Sequence, residues 1–196
     1  MKRFGVLFVV VCCLGVLCLA QEEKSPLEKA KDEVKALSED AKIQEAAVTA
    51  LEKLVKEGVK VEDALKIVSR GVKDKLDAAG LKKLCDGVVA ILKADEKEVS
   101  KELKYAAVKL IAELAEADMA ATDGLEIANL AIKAKFSADD VNKLTKALKE
   151  GLEKKANAAE LAKFVKEKIG AGVKGEELIK AINDKVKKMT TPEEEK

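Results

Sequence analysis

A chain without histidine lacks the usual general base near neutral pH, and this one has none. Serine or cysteine nucleophiles assisted by histidine are excluded, which leaves a Ser–Lys pair. The serines beyond the N-terminal segment are Ser25, Ser38, Ser69, Ser100 and Ser137. Four stand at or near expected helix starts, where a capping hydroxyl explains them. Ser69 falls inside a helix beside Arg70. With neither a base nor an oxyanion device in view, no catalytic residue is assigned and no enzyme is expected.

Paired carboxylates would suit glycoside chemistry, and Glu62-Asp63, Asp139-Asp140 and Glu176-Glu177 are the candidate pairs. All three fall in the first turn of an expected helix, where negative charge complements the helix dipole. Sugar sites also use aromatic platforms, and beyond the N-terminal segment there are only Tyr105, Phe136 and Phe164. Zinc would want histidine or several cysteines. A calcium loop would want alternating acids, which Asp118 and Asp123-Gly124 do not provide across Met119-Ala120-Ala121. Gly170-Ala171-Gly172-Val173-Lys174-Gly175 lacks the Gly-Lys-Ser/Thr ending of a phosphate loop, follows a helix, and reads as a helix stop followed by a start. No metal or cofactor residue is assigned. Cys85 shares an apolar stripe with Leu81, Leu84 and Val88 and is expected to be buried. The alternative is an exposed thiol forming an intermolecular disulfide.

The elements that position these residues announce themselves by a six-position pattern: apolar, cap, any, any, acid or glycine, apolar. Its clearest copy is Phe136-Ser137-Ala138-Asp139-Asp140-Val141, and others begin at Val59, Leu76, Ala94, Ala120, Ala156 and Val173. Each is a hydrophobic staple around an N-cap and marks a helix start. Ser25-Pro26-Leu27-Glu28 starts a first helix running to Leu37, and Ser38-Glu39-Asp40 caps a second that Gly58 ends. The fifth helix is expected to start at Asp95 and to be the longest. The pattern predicts an all-α chain of about nine short amphipathic helices, antiparallel to their neighbours across tight turns. Two architectures fit: a helical-repeat (α-solenoid-like) array and an irregular closed bundle. The blocks 59–92 and 136–169 each hold two staple-and-cap units, offset by 77 to 80 residues, the mark of an internal duplication.

The organisation expected along the chain is a cleaved signal peptide over residues 1–20, a single helical domain over 21–189, and an acidic flexible tail over 190–196. Lys2-Arg3, then 17 uncharged residues from Phe4 to Ala20, then Gln21-Glu22-Glu23 form a secretory layout. An uncleaved anchor and a lipidated Cys18 are the rivals. Secreted or periplasmic localisation follows, with membrane contact only if the N-terminal segment is retained. Cys12, Cys13 and Cys18 leave with that segment, so no internal disulfide supports the fold. After its removal, 35 basic residues face 36 acids, and only Arg70 is an arginine. That balance gives no long-range field for nucleic acid, and lysine lacks the bidentate fork that reads phosphate or guanine. Lysine-rich outer faces matched by acids at i,i+4, as in Glu150–Lys154 and Asp184–Lys188, read as solvated faces.

The function expected is an exported, non-enzymatic binding or scaffold protein that meets a protein partner through a helical face or groove. The alternative is a carrier holding a lipid or other apolar ligand inside the helices.

Overall fold

The structure, a computed structural model, describes residues 24–191. The expected signal segment 1–20 and most of the expected tail lie outside those residues. Among the described residues there are nine helices and no strand: α1 (Pro26–Ala36), α2 (Ala41–Lys56), α3 (Val61–Lys73), α4 (Ala78–Lys93), α5 (Lys101–Glu116), α6 (Ala121–Lys133), α7 (Ala138–Glu153), α8 (Ala158–Gly170) and α9 (Gly175–Thr190). Thr190, expected to open the tail, is helical. Thr190 closes α9, and its Oγ1 donates to Val186 O at 2.9 Å.

Six connections share one backbone solution. A residue with positive φ ends the helix: Gly58, Lys75, Asp118, Lys135, Lys155 or Gly172. The next residue donates its N–H to the carbonyl five positions back, as in Val59 to Leu54, Leu76 to Gly71 and Met119 to Leu114. Phe136 to Ala131, Ala156 to Gly151 and Val173 to Lys168 do the same, all within 2.9–3.1 Å. This is the Schellman stop. The donor residue is always apolar; Val59, Met119, Phe136 and Ala156 are buried, and Leu76 and Val173 pack against the core. The following residue is already the N-cap of the next helix. One apolar residue therefore closes one helix and stands just before the N-cap of the next. At α7 the start is a full capping box, with Ser137 Oγ accepting from Asp140 N at 3.0 Å and Asp140 Oδ2 accepting from Ser137 N at 3.1 Å.

Two expected starts shift. The staple before α6 is Met119, not Ala120, because Ala120 takes the N-cap position without a side-chain acceptor. Helix α5 begins at Lys101, capped by Ser100 at 3.2 Å, not at Asp95. Asp95 instead caps a single turn, accepting from Lys97 N at 2.9 Å. The helix is also not the longest, being 16 residues like α2, α4, α7 and α9.

Each helix from α3 onward packs on the helix two before it, and most also pack on their predecessor, α7 and α8 being the exceptions. The odd helices α1, α3, α5, α7 and α9 form one layer; α2, α4, α6 and α8 form the other. The first two helices do not pack on the last two, so the chain is an open two-layer array. Its interior is aliphatic, with Leu51, Leu54, Ile67, Leu110, Ile111, Leu144 and Leu148 fully buried. Close approach depends on missing side chains. A Cβ at Gly87 of α4 would stand 2.5 Å from Leu125 Cδ2 of α6, and one at Gly151 of α7 would stand 2.7 Å from Val186 Cγ2 of α9.

Helix lengths carry a second period. Helices α5, α7 and α9 start at 101, 138 and 175, intervals of 37 residues, and α2 and α4 start at 41 and 78, the same interval. Within it a 16-residue helix is followed by one of 13. Matching 59–92 to 136–169 aligns turns but lays the 13-residue α3 on the 16-residue α7. The interval of 37 aligns turns and lengths together.

The Ser137 cap is measurable. Ser137→Ala should lower stability by about 1 kcal/mol, read as a lower thermal midpoint with an unchanged helical spectrum.

Candidate functional site

Most of the ion pairs described join neighbouring helices. In the even layer Lys53 of α2 meets Asp86 of α4 at 2.5 Å, and Lys166 of α8 meets Asp123 and Glu126 of α6 at 2.8 and 2.6 Å. In the odd layer Glu113 and Glu116 of α5 are shared between Lys66 of α3 and Lys149 of α7. Lys143 of α7 meets Glu176 of α9 at 3.2 Å. The Lys149 ammonium holds the Glu113 carboxyl below its ordinary range. Neither Glu150–Lys154 nor Asp184–Lys188 closes; across the described residues Glu150 turns to Lys146 instead, at 3.9 Å. Arg70 is also structural. Its Nε donates to Asp74 Oδ1 at 2.8 Å and one terminal nitrogen to Asp118 Oδ1 at 2.7 Å. Asp74 Oδ2 in turn accepts from Ala121 N at 3.0 Å, capping the helix whose own N-cap is alanine.

The residues set aside on sequence grounds fall where capping puts them. Ser25, Asp40, Ser100 and Ser137 accept from the first turns of α1, α2, α5 and α7. The three acidic pairs lie in the first turns of α3, α7 and α9. The glycine-rich run is the Schellman stop at Gly172 and the start of α9. Among the described residues no group of metal-ligating side chains converges. Cys85 is buried, 2% exposed, with its thiol 3.6 Å from Ala50 O. Burial pushes that thiol up, against the nearby Lys53 ammonium. Lys104 is the one buried charged side chain described, and its Nζ donates to Ala94 O at 2.5 Å where α4 ends.

One surface open to an outside molecule is the outer stripe of the long helices α5, α7 and α9. Counting from each first residue, positions 5, 9 and 13 are Tyr105, Lys109 and Glu113 on α5, and Asn142, Lys146 and Glu150 on α7. On α9 positions 5 and 9 are Ile179 and Asn183. All of these but Tyr105 line two clefts in line, of about 560 Å³ between α5 and α7 and about 290 Å³ between α7 and α9, joined through Lys146 and Glu150. Lys109 continues the line into a third, of about 460 Å³, between the α2–α3 turn, the end of α4 and α5. Its floor is Val59, Leu92 and Val108, and Tyr105 stands at its side, 49% exposed. Sequence reading missed this face because none of its residues is unusual in type. The signal was their recurrence every 37 residues.

Asp63 lies in this third cleft, half-buried and without a hydrogen bond or ion pair. Burial raises its pKa and Glu113 adds to the rise, while Lys66, Lys60 and Lys109 oppose it. Comparison with protein-family models, with characterised proteins and with solved structures returns no match.

Two outcomes follow. The Cys85 thiol should react slowly with an alkylating reagent in the native protein and fast in urea, and a non-reducing gel should show monomer. Asp63 titrates higher folded than unfolded, so its ionised form opposes folding above the folded pKa, and that opposition fades as pH falls through it. Measured by denaturant melts, the stability of Asp63→Asn relative to the parent should therefore fall between pH 7 and pH 4. A rise would mean that the carboxylate is held by an unseen partner.

Proposed function

We propose that this is an exported, non-enzymatic binding protein that meets a protein partner across the face made by α5, α7 and α9. The observation that carries the reading is the alignment of positions 5, 9 and 13 on successive long helices, with clefts continuous between them. Adjacent packed helices lie about 8–10 Å apart, close to three residues of extended chain. A face with that spacing suits a partner segment laid across the helices, where repetition of shape supplies recognition without a rare residue.

The 37-residue unit supports reading the chain as a helical repeat. Ala46-Ala47-Val48, Leu54, Asp63, Leu65, Ile67, Lys73 and Lys75 recur at the same places as Ala106-Ala107-Val108, Leu114, Asp123, Leu125, Ile127, Lys133 and Lys135. Export rests on the N-terminal layout, and the absence of catalytic function rests on the histidine-free composition. An apolar cargo inside the helices finds less support, since the clefts described open at the surface and the interior side chains between the layers are fully buried.

A photo-crosslinking residue placed at Asn142 or Asn183, in protein exposed to the fluid into which it is exported, tests the face. Adducts should form there and be scarce from Lys163 on the exposed side of α8. Equal yields from both faces, or adducts from α8 alone, would refute the assignment.

A further inference from the structure

Position 3 of the short helices α3 and α6 is an aspartate in both, Asp63 and Asp123. Position 9 of the next helix in the same layer is a lysine in both, Lys109 on α5 and Lys166 on α8. In the second pair the carboxylate and the ammonium meet at 2.8 Å. In the first pair they do not meet, and a cleft of about 460 Å³ lies between them, with both groups in its wall. Tyr105 stands at position 5 of α5, where α8 has the small, buried Ala162. Lys60 is a second, exposed lysine on that wall, in no ion pair but near enough to act on Asp63, and as N-cap of α3 it offers the helix no side-chain acceptor. The cleft thus presents one half-buried carboxylate without a hydrogen bond or ion pair, two exposed lysines close enough to act on it, and an apolar floor. A half-buried charge without a partner is costly, and a ligand of complementary charge relieves that cost.

We propose that this cleft binds a small zwitterion with an apolar body, the chemistry of a free α-amino acid or a dipeptide, its ammonium on Asp63 and its carboxylate on Lys60 and Lys109. The apolar body lies on Val59, Leu92 and Val108 beside the Tyr105 ring. The volume is within the range of small-ligand sites. The inference rests on reading the odd layer as a binding face and names what one cleft of that face takes.

Tyr105 is the only tyrosine and the chain has no tryptophan, so intrinsic fluorescence reports on this cleft. The full-length exported protein is titrated with L-leucine, Leu-Leu, N-acetyl-L-leucine and L-leucinamide. A saturable change with leucine or Leu-Leu below about 10 mM is expected, and whichever is tighter tells a free amino acid from a peptide. N-acetyl-L-leucine, which lacks the ammonium, should bind at least about tenfold more weakly than leucine. Leucinamide, which lacks the carboxylate, should also be weaker. In Asp63→Asn, checked for folding by circular dichroism, leucine should fall to the level of N-acetyl-L-leucine, while the latter is unchanged. No saturable response to leucine or Leu-Leu, or equal binding of leucine and N-acetyl-L-leucine by the parent protein, would overturn the proposal. Crosslinking from α7 and α9 reads the partner face separately, so a failed titration with crosslinks intact removes only this ligand assignment.

Discussion

A single backbone N–H, donated five residues back by an apolar residue that follows a left-handed one, sets the geometry of this molecule. It occurs at six connections. It fixes the length of each connection at four residues, and so short a connection keeps successive helices within reach of a common layer. Stacking by twos follows, since each helix can cover only part of the apolar stripe of the one before it. The left-handed residue strains any side chain other than glycine by about 1–2 kcal/mol, while a side-chain N-cap contributes about 1 kcal/mol. The turns trade these two comparable terms. Where glycine takes the left-handed position, at 58 and 172, the N-cap is Lys60 or Lys174 and makes no side-chain bond. Where lysine takes it, at 75, 135 and 155, the N-cap is Asp77, Ser137 or Asn157 and makes one. Asp118 and Ala120 have neither advantage, and there Arg70 and Asp74 reach over from the end of α3 to hold both.

The connection from α4 to α5 breaks this rule and changes the array. Two 16-residue helices follow one another, with a single turn at Asp95 where a 13-residue helix stands elsewhere. Long helices start 23 residues apart here, at 78 and 101, in place of 37. Skipping one short helix moves the long ones from the even layer, where α2 and α4 lie, to the odd layer of α5, α7 and α9. Without a Schellman stop, the end of α4 needs another donor for its carbonyls. Lys104 supplies it by burying its stem and donating to Ala94 O. It does so at position 4 of α5, where α4, α7 and α9 carry the buried Leu81, Val141 and Leu178. A buried lysine that ends on a helix C-terminus also complements the dipole there.

The staples made most of this fold legible beforehand. Helix starts at Val61, Ala78, Ala138, Ala158 and Gly175 were all readable from an apolar residue, a cap and an acid or glycine. The start of α5 was misread because Asp95 caps a turn as well as it would cap a helix, and local sequence does not distinguish one turn from four. The start of α6 slipped by one because its cap comes from Asp74, 47 residues away. The left-handed lysines escaped notice for a similar reason, since nothing in a lysine marks it for positive φ. The cleft beside Tyr105 was illegible because it depends on a distance between α3 and α5 that no local pattern encodes. A carboxylate in a first turn has the same appearance whether it is paired, as Asp123 is, or unpaired, as Asp63 is.

The same constraint locates the freedom in the molecule. Position 11 of the long helices is Leu51, Val88, Ile111 and Leu148 in the first four, and position 14 is Leu54, Ile91 and Leu114 in the first three, all but α9 and Gly151 being bulky and apolar. Position 5 is Glu45, Lys82, Tyr105, Asn142 and Ile179, five different kinds of side chain at one place. The turns and the inner stripe leave no room for such variety, because each methylene there is packed between layers. The outer stripe is packed less tightly, and its side chains can vary one helix at a time without disturbing the stack.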